Sequence, residues 1–403
     1  MPWPYFSLFL LGLFLAAPAS AQPVGSPGHY LFVWTGDEAR QGNDFMLVID
    51  ADPVSSTFGQ AVASAVTDQR SASAHHTEYV MSDSGMLFAN DHEANRTFIF
   101  DLRDPLRPRV AASFTSLAGY NHPHSFLRLP NGNVLATFQH GDHGAHHPAQ
   151  GRSGGLVEID ERGNVVRAVS TFDPVFADAN LMPYSLAVLP DIDRVLVTNS
   201  SMHGRDQDGT TFQLWRLSDL TLLRTDYFDP GRRLHGHIDP EEVRIGPDGA
   251  AYVQTLGCGI ERVTNLNTAT PQATLVHHFP GNWCGVPTIV GHYLIQSVPE
   301  IMGYIVIDIS DGARPVEVSR LTISDTYLPH WTGWDERTRR LVVTSNAPGD
   351  RMYLLKLDER TGALSIDETF RGADGVPGFS FVRRQWPHGW TGEGRAHGAV
   401  FSR

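Results

Sequence analysis

Four short segments set a histidine at the head of an apolar run: Ala74-His75-His76-Thr77, His122-Pro123-His124-Ser125-Phe126, Leu328-Pro329-His330-Trp331 and Trp386-Pro387-His388-Gly389-Trp390. Neutral imidazoles suit copper, zinc, iron or nickel, and the absence of a thiolate from the set argues against a blue-copper arrangement. If His76, His124, His330 and His388 converge, they make a metal site. His75 and His122 stand beside this set and would replace or orient a ligand. Two further copies of the pattern carry Tyr184 and Glu241 at the same place, groups suited to carrying a proton or touching a substrate. Any one of these histidines would serve equally well as a turn or hydrogen-bonding residue. Their repetition in one register carries the metal reading, and Tyr184 and Glu241 show that the pattern does not itself require histidine.

The elements that position these residues can be read from the clearest copy, Tyr120 to His140. It contains a Pro-His pair, an alternating apolar run, a turn at Asn131-Gly132 and a second apolar run, the grammar of a two-stranded hairpin. The same order returns at Met182 to Thr198, Asp239 to Thr255 and Leu328 to Thr344, and more loosely at Ala74 to Asn90. Repeats of roughly 45 to 60 residues point to propellers or solenoids. A third strand can be placed in every unit: Phe45 to Asp50, Thr97 to Leu102, Gly155 to Asp160, Phe212 to Leu217, Gly259 to Val263, Tyr304 to Ile309 and Met352 to Leu357. Long helical periodicity is absent, and 38 glycines with 26 prolines suit many short turns.

Seven such units predict an all-β fold, a seven-bladed β-propeller closed by N- and C-terminal strands. Trp386 to Trp390 is expected to supply the innermost strand of the closing blade, and Tyr30 onward its other strands. That leaves Ala396 to Arg403 without a place. Innermost strands of a propeller line the central channel, so the Pro-His register falls at one mouth. Around the ring it reads His76, His124, Tyr184, Glu241, a position near Trp283 to Val286, His330 and His388, with the four histidines consecutive.

Loops between second and third strands should emerge at the same mouth, bringing His92, His203 and the tract His140-Gly141-Asp142-His143-Gly144-Ala145-His146-His147. This tract has the composition of a metal-binding segment, but its glycines suit a solvated lid as well. Trp331, Trp334, Trp386 and Trp390 flank the register and would pack between blades or wall a pocket. Neither a G-x-S-x-G nucleophile elbow nor a phosphate-cradling glycine loop is present.

With 403 residues the chain is long enough for one large all-β unit, and residues 22–403 are expected to form a single domain. A net charge of −13 provides no basic field for a nucleic-acid backbone, which leaves a small-molecule substrate as the expected partner. Phe6 to Ala17 is an apolar run of signal-peptide length. The small residues Ala19 and Ala21 suit cleavage before Gln22, so residues 1–21 read as a signal peptide and the protein as periplasmic or secreted. The run is short for a membrane span, so no stable anchor is expected. The only two cysteines, Cys258 and Cys284, would form one disulfide in an oxidising compartment or remain as buried thiols.

The His75-His76 pair, the H-P-H-S-F segment at His122 to Phe126, the D-P-x-x-P turn at Asp104 to Pro108 and a histidine-bearing C-terminal segment together resemble the selenium-binding protein and methanethiol oxidase family. The resemblance implies a seven-bladed propeller holding copper through histidines. It also implies an oxidase that converts a small thiol and oxygen to aldehyde, sulfide and peroxide. Carried over by motif, the ligands are His75, His76, His124 and His388; the repeat register adds His330. This chain is shorter than typical members, lacks their cysteine-rich motifs and has P-H-G-W at its C-terminal histidine. Two other classes remain open from the sequence. One is a non-catalytic propeller that binds a metal, ligand or partner, and the other a lactonase-like hydrolase holding calcium through Glu241, Glu242, Asp91 and Glu300.

Overall fold

The computed structural model describes residue 1 and residues 28–141, 153–201, 209–228 and 238–403. The expected signal peptide lies outside the described residues, as do His203 and residues 142–147 of the histidine tract. No helix among the described residues is long and apolar enough to cross a membrane.

Seven four-stranded antiparallel sheets follow one another along the chain and form the blades of a propeller. Blade 1 contains Tyr30–Asp37, Phe45–Asp50 and Ala61–Val66, and its innermost strand is the C-terminal Gly394–Phe401. The innermost strands of blades 2 to 7 are Ala74–Thr77, Tyr120–Arg128, Pro183–Leu189, Pro240–Ile245, Thr288–Val290 and Pro329–Asp335. All seven third strands lie where the repeat pattern sets them. Their buried side chains fill the spaces between blades: Trp34, Phe98 and Phe100 pack between blades 1 and 2, for example.

The ring is sealed by both termini, but not by the expected C-terminal segment. Trp386 to Trp390 is a tight turn joining Arg384–Gln385 to Thr391–Gly392. The Trp386 carbonyl accepts from Gly389 N–H at 2.8 Å, and Gly389 has φ +88°, a conformation that glycine adopts without penalty. Pro-His-Gly is turn chemistry, whereas Pro-His followed by a larger residue begins a strand. Ala396-His397 takes the place that Pro-His holds in blades 3 and 7.

One local device recurs in six innermost strands. Between Ala74 and Thr77, three residue steps oppose only two on the neighbouring strand, a β-bulge. Equivalent shifts lie at Pro123/Phe126, Pro183/Leu186, Pro240/Val243 and Pro329/Thr332, and opposite Val33/Thr35 in the C-terminal strand. The bulge leaves an amide unpaired. His76 N–H is met by Asn90 Oδ1 at 2.7 Å, Ser125 N–H by Thr137 Oγ1 at 3.0 Å, Ser185 N–H by Thr198 Oγ1 at 3.1 Å and Glu242 N–H by Gln254 Oε1 at 3.3 Å. The same second-strand side chains donate onward to the next blade: Asn90 to Pro123 O, Thr137 to Tyr184 O, Thr198 to Glu241 O and Gln254 to Cys284 O, at 2.6–2.9 Å. Thr344 likewise donates to His397 O at 2.7 Å, joining blade 7 to blade 1.

Blade 6 lacks this bulge and has the shortest innermost strand of the ring. There Cys258, after the second strand of blade 5, is joined by a disulfide to Cys284, just before blade 6 begins. The bridge closes a sequence separation of 26 residues. Loop-closure entropy for a segment of that length corresponds to about 3–4 kcal/mol. A Cys258→Ser/Cys284→Ser variant is therefore expected to unfold at lower denaturant concentration, by about that free energy; an unchanged midpoint would show that the bridge is thermodynamically idle.

Candidate functional site

In a regular strand, neighbouring residues point to opposite faces. The bulge in blade 2 overrides this rule, and the rings of His75 and His76 lie stacked, with centroids 4.1 Å apart and planes within 2°. By bulge register His75, following Ala74, is the counterpart of His124 and His330. His76 occupies the second bulge position, not the first as the sequence pattern suggested.

Around this pair the channel gathers the histidines of four consecutive blades. His124 of blade 3 lies 5.1 Å from His75 and 4.6 Å from His76, centroid to centroid. His397 of blade 1 lies 4.4 Å from His75 and 5.4 Å from His76, and His330 of blade 7 lies 4.3 Å from His397. Ligand atoms of His75, His76 and His397 fall within 4.8 Å of one another, as do those of His76, His124 and Glu242.

His388 does not join them. It packs on Phe45 against the outer strands of blade 1, and its Nδ1 shares a 2.8 Å hydrogen bond with Ser64 Oγ. His397 stands in its place, in the segment that had no position in the sequence reading. The usable signal was Ala-His at the start of a short alternating run, the form already present at Ala74-His75. Gly398 follows because the strand passes close to blade 2: a Cβ there would sit 2.7 Å from Thr77 N and 2.9 Å from His75 O.

Burial and mutual repulsion decide the charge state of this cluster. Loss of solvation, reinforced by neighbouring imidazoles, holds His75, His76 and His397 well below the ordinary histidine value. Desolvation does the same for His124, and His330 is lowered to about 4 by burial and the nearby Arg395. The rings are therefore neutral near pH 7 and their lone pairs available. His124 Nδ1 bonds Tyr184 O at 3.0 Å, which leaves Nε2 as the lone-pair nitrogen. That Nε2 has no hydrogen-bond partner, nor do His75 Nδ1, both nitrogens of His76, His330 Nδ1 or His397 Nδ1; His76 Nδ1 has Glu242 Oε1 as its nearest acceptor, at 3.5 Å. A buried polar atom without a partner costs about 1–3 kcal/mol, so this arrangement is expensive unless something is bound. Clustered neutral nitrogen donors beside one carboxylate fit a borderline transition metal better than calcium, which takes oxygen ligands.

Glu242 approaches the cluster from blade 5. Its Oε1 lies 3.5 Å from His76 Nδ1, and its Oε2 accepts from Ser185 Oγ at 2.9 Å, from Arg244 at 3.1 Å and from the Tyr79 hydroxyl. Tyr79 is stacked on Trp331 and covered by the Arg244 guanidinium 3.7 Å from its ring centroid. Neither Tyr79 nor Arg244 falls in the repeated Pro-His register. Trp331 donates to Ala399 O at 2.9 Å and so packs between blades.

The two expected proton-handling residues face the same chamber. Tyr184 lies 3.7 Å from His124, centroid to centroid, and burial pushes its phenol well above 10. Glu241 accepts from Gln254 at 3.3 Å; burial and the nearby Asp239 push its carboxyl well above the usual range. Both line a cavity of about 260 Å³ with His75, His330, His397 and Trp283.

The fold and site thus define a seven-bladed propeller with a histidine-lined channel mouth. No protein-family model matches the chain. Over 123 residues it is 33% identical to methanethiol oxidase from Hyphomicrobium sp., covering 28% of this chain and 27% of that protein, so the match spans about a quarter of the relative. The selenium-binding protein of Sulfolobus tokodaii shares the fold with a TM-score of 0.71 at 15% identity, covering 94% of each chain. A 6-phosphogluconolactonase-like protein from Bacteroides fragilis gives 0.63 at 10% identity, over 95% of this chain and 100% of that one. The periplasmic gluconolactonase of Pseudomonas aeruginosa gives 0.63 at 14%, over 93% and 99%. The methanethiol oxidase match and the fold shared with the selenium-binding protein fit a distant likeness to the family that the sequence motifs resemble.

The depressed histidines fix how the metal-free protein responds to acid. An unfolded histidine titrates near 6.5, and the five buried ones titrate lower in the folded chain. Stability is therefore full above about pH 6.5 and is lost as pH falls through the folded values, by up to about 1.4 kcal/mol per proton per pH unit. Urea midpoints measured from pH 7 to pH 5 with a chelator present should fall steeply, and His330→Gln should flatten the slope by about one proton. A midpoint independent of pH would contradict the neutral, buried cluster.

Proposed function

We propose that this chain is an exported, metal-dependent oxidoreductase, with copper as its metal, that oxidises a small thiol or related sulfur compound with oxygen. The observation that carries the reading is the convergence, from four blades, of six buried imidazole nitrogens that make no hydrogen bond. The residues that would hold the metal are His75, His76, His124, His330 and His397, with Glu242 orienting His76. Similarity to methanethiol oxidase supports the substrate class, over the part of that protein which aligns. The apolar run at Phe6 to Ala17 and the Cys258–Cys284 disulfide support export to an oxidising periplasmic or secreted setting.

Bound copper would supply one-electron exchange with oxygen and a soft coordination position for a thiol sulfur. The chain's own residues do the rest. Trp283 and the small chamber exclude bulky substrates. The Glu241 carboxyl, kept protonated by burial, holds a proton at the chamber wall for transfer to a departing sulfur or reduced oxygen. Tyr184 keeps its own proton and braces His124 through its backbone carbonyl. With methanethiol, oxygen and water as reactants, the balanced products are formaldehyde, hydrogen sulfide and hydrogen peroxide.

Elemental analysis of periplasmically produced protein is the direct test. The parent and a His388→Ala control are expected to carry near-stoichiometric copper and to consume oxygen with methanethiol, and a His76→Ala/His397→Ala variant to lose both. Calcium instead of copper, with lactone hydrolysis abolished by Glu241→Gln, would replace this reading with a hydrolytic one; a well-folded protein that takes up no metal would leave a binding propeller.

A further inference from the structure

A second group of histidines leads outward from the buried cluster. His92 follows the second strand of blade 2, His122 lies at the start of the innermost strand of blade 3, and His140 lies at the end of that blade's second strand. His75 and His92 are 5.2 Å apart, His92 and His122 6.2 Å, and His122 and His140 4.8 Å, all between ring centroids. The outer three are half-buried, unlike His76 and His124 at the inner end. His122 is held at φ +54°, a left-handed conformation uncommon for a residue with a side chain, and its N–H donates to Asn95 Oδ1. Its ring meets His140 edge-on.

These spacings have a chemical meaning. With a metal–nitrogen bond near 2.0–2.1 Å, two imidazoles sharing one tetrahedral ion have centroids roughly 5–6 Å apart. Each consecutive pair in the series is close to that separation, so an ion leaving one ring can be held by the next before it is released. From this geometry we propose that His140, His122 and His92 form a metal-loading path, an outer imidazole site that captures a copper ion at the channel rim and passes it to His75. The path rests on the reading of the buried cluster as a metal centre, because that cluster is its destination. No bond is made or broken other than metal–nitrogen coordination, and the ion keeps its oxidation state.

The test is the rate of loading. Metal-free full-length mature protein is mixed with cupric sulfate, and uptake is followed by quenching of tryptophan fluorescence, Trp331 being 5.1 Å from His76, centroid to centroid. Bound copper is measured after desalting at successive times. His122→Asn, which keeps a residue tolerant of the left-handed conformation, and His140→Gln are compared with the parent singly and together; His388→Ala serves as a distant control. The double variant is expected to load at least about tenfold more slowly, because the locally held ion is lost, and to reach the parent's copper content at long times. Equal rates overturn the path. A lower final content also overturns it, since the outer histidines would then be ligands of the resident ion. A parent that takes up no copper is a different result: it removes the metal centre itself, and with it the path's destination.

Discussion

The site depends on a hydrogen bond that has nothing to do with metal chemistry. Each bulge in an innermost strand leaves an amide pointing away from its ladder, and a buried amide must be met. In blades 2 to 5 a second-strand side chain meets it: Asn90, Thr137, Thr198 or Gln254. Because the same side chain reaches a carbonyl of the next blade, local satisfaction of one bulge sets its neighbour's position. The first bulge residue, be it His75, His124, Tyr184 or Glu241, is therefore fixed by the ring of blades as a whole. Rigid strands, not loops, carry the inner side chains, a placement that favours a preorganised site.

Electrostatics then explain why the ring is uneven. Blades 7, 1, 2 and 3 present imidazoles, whereas blades 4 and 5 present a phenol and two carboxylates. A full circle of histidines would bury more nitrogens without counter-charge. With Glu242 on the far side, His76 faces an acceptor that is itself held by Ser185, Arg244 and Tyr79. Arg244 and Tyr79 also line the cavities at the opposite end of the channel, so the layer of Trp331, Tyr79 and Arg244 separates the histidine chamber from that mouth. The cavity lined by His75, His330 and His397 lies on the histidine side of that layer.

Most of the fold was legible in the sequence because a propeller repeats its signals. The alternating runs, Asn-Gly and Asp-Gly turns and third strands occur often enough that one ambiguous copy does not change the count. His124, His330 and the His75-His76 pair were legible for the same reason. The closing strand was not, because it has no hairpin partner following it in sequence: its neighbour, Tyr30–Asp37, lies at the other end of the chain. Pro-His at Pro387-His388 then offered a stronger local match than Ala396-His397, although Gly389 makes the former a turn. Glu242 was visible only as one of several acidic residues, since its approach to His76 depends on the bulge. Tyr79 and Arg244 gave no signal, as their contacts cross the channel between blades far apart in sequence.

The bulge also accounts for the kind of site this fold can make. A regular innermost strand sends alternate side chains into the channel, and adjacent ones are separated by the sheet. Inserting one residue puts two neighbours on the same side, as the stacked His75 and His76 rings demonstrate. In blade 5 the same insertion yields Glu241 and Glu242, one facing the chamber and the other His76. Blade 1 has Gly398 at the second position because blade 2 approaches too closely for a side chain. A single backbone irregularity, repeated around the ring and filled differently in each blade, thus sets both the density of donor atoms and their asymmetry. Substitution at the bulge positions changes the chemistry of the chamber, while substitution at Asn90, Thr137, Thr198 or Thr344 changes the geometry in which that chemistry is presented.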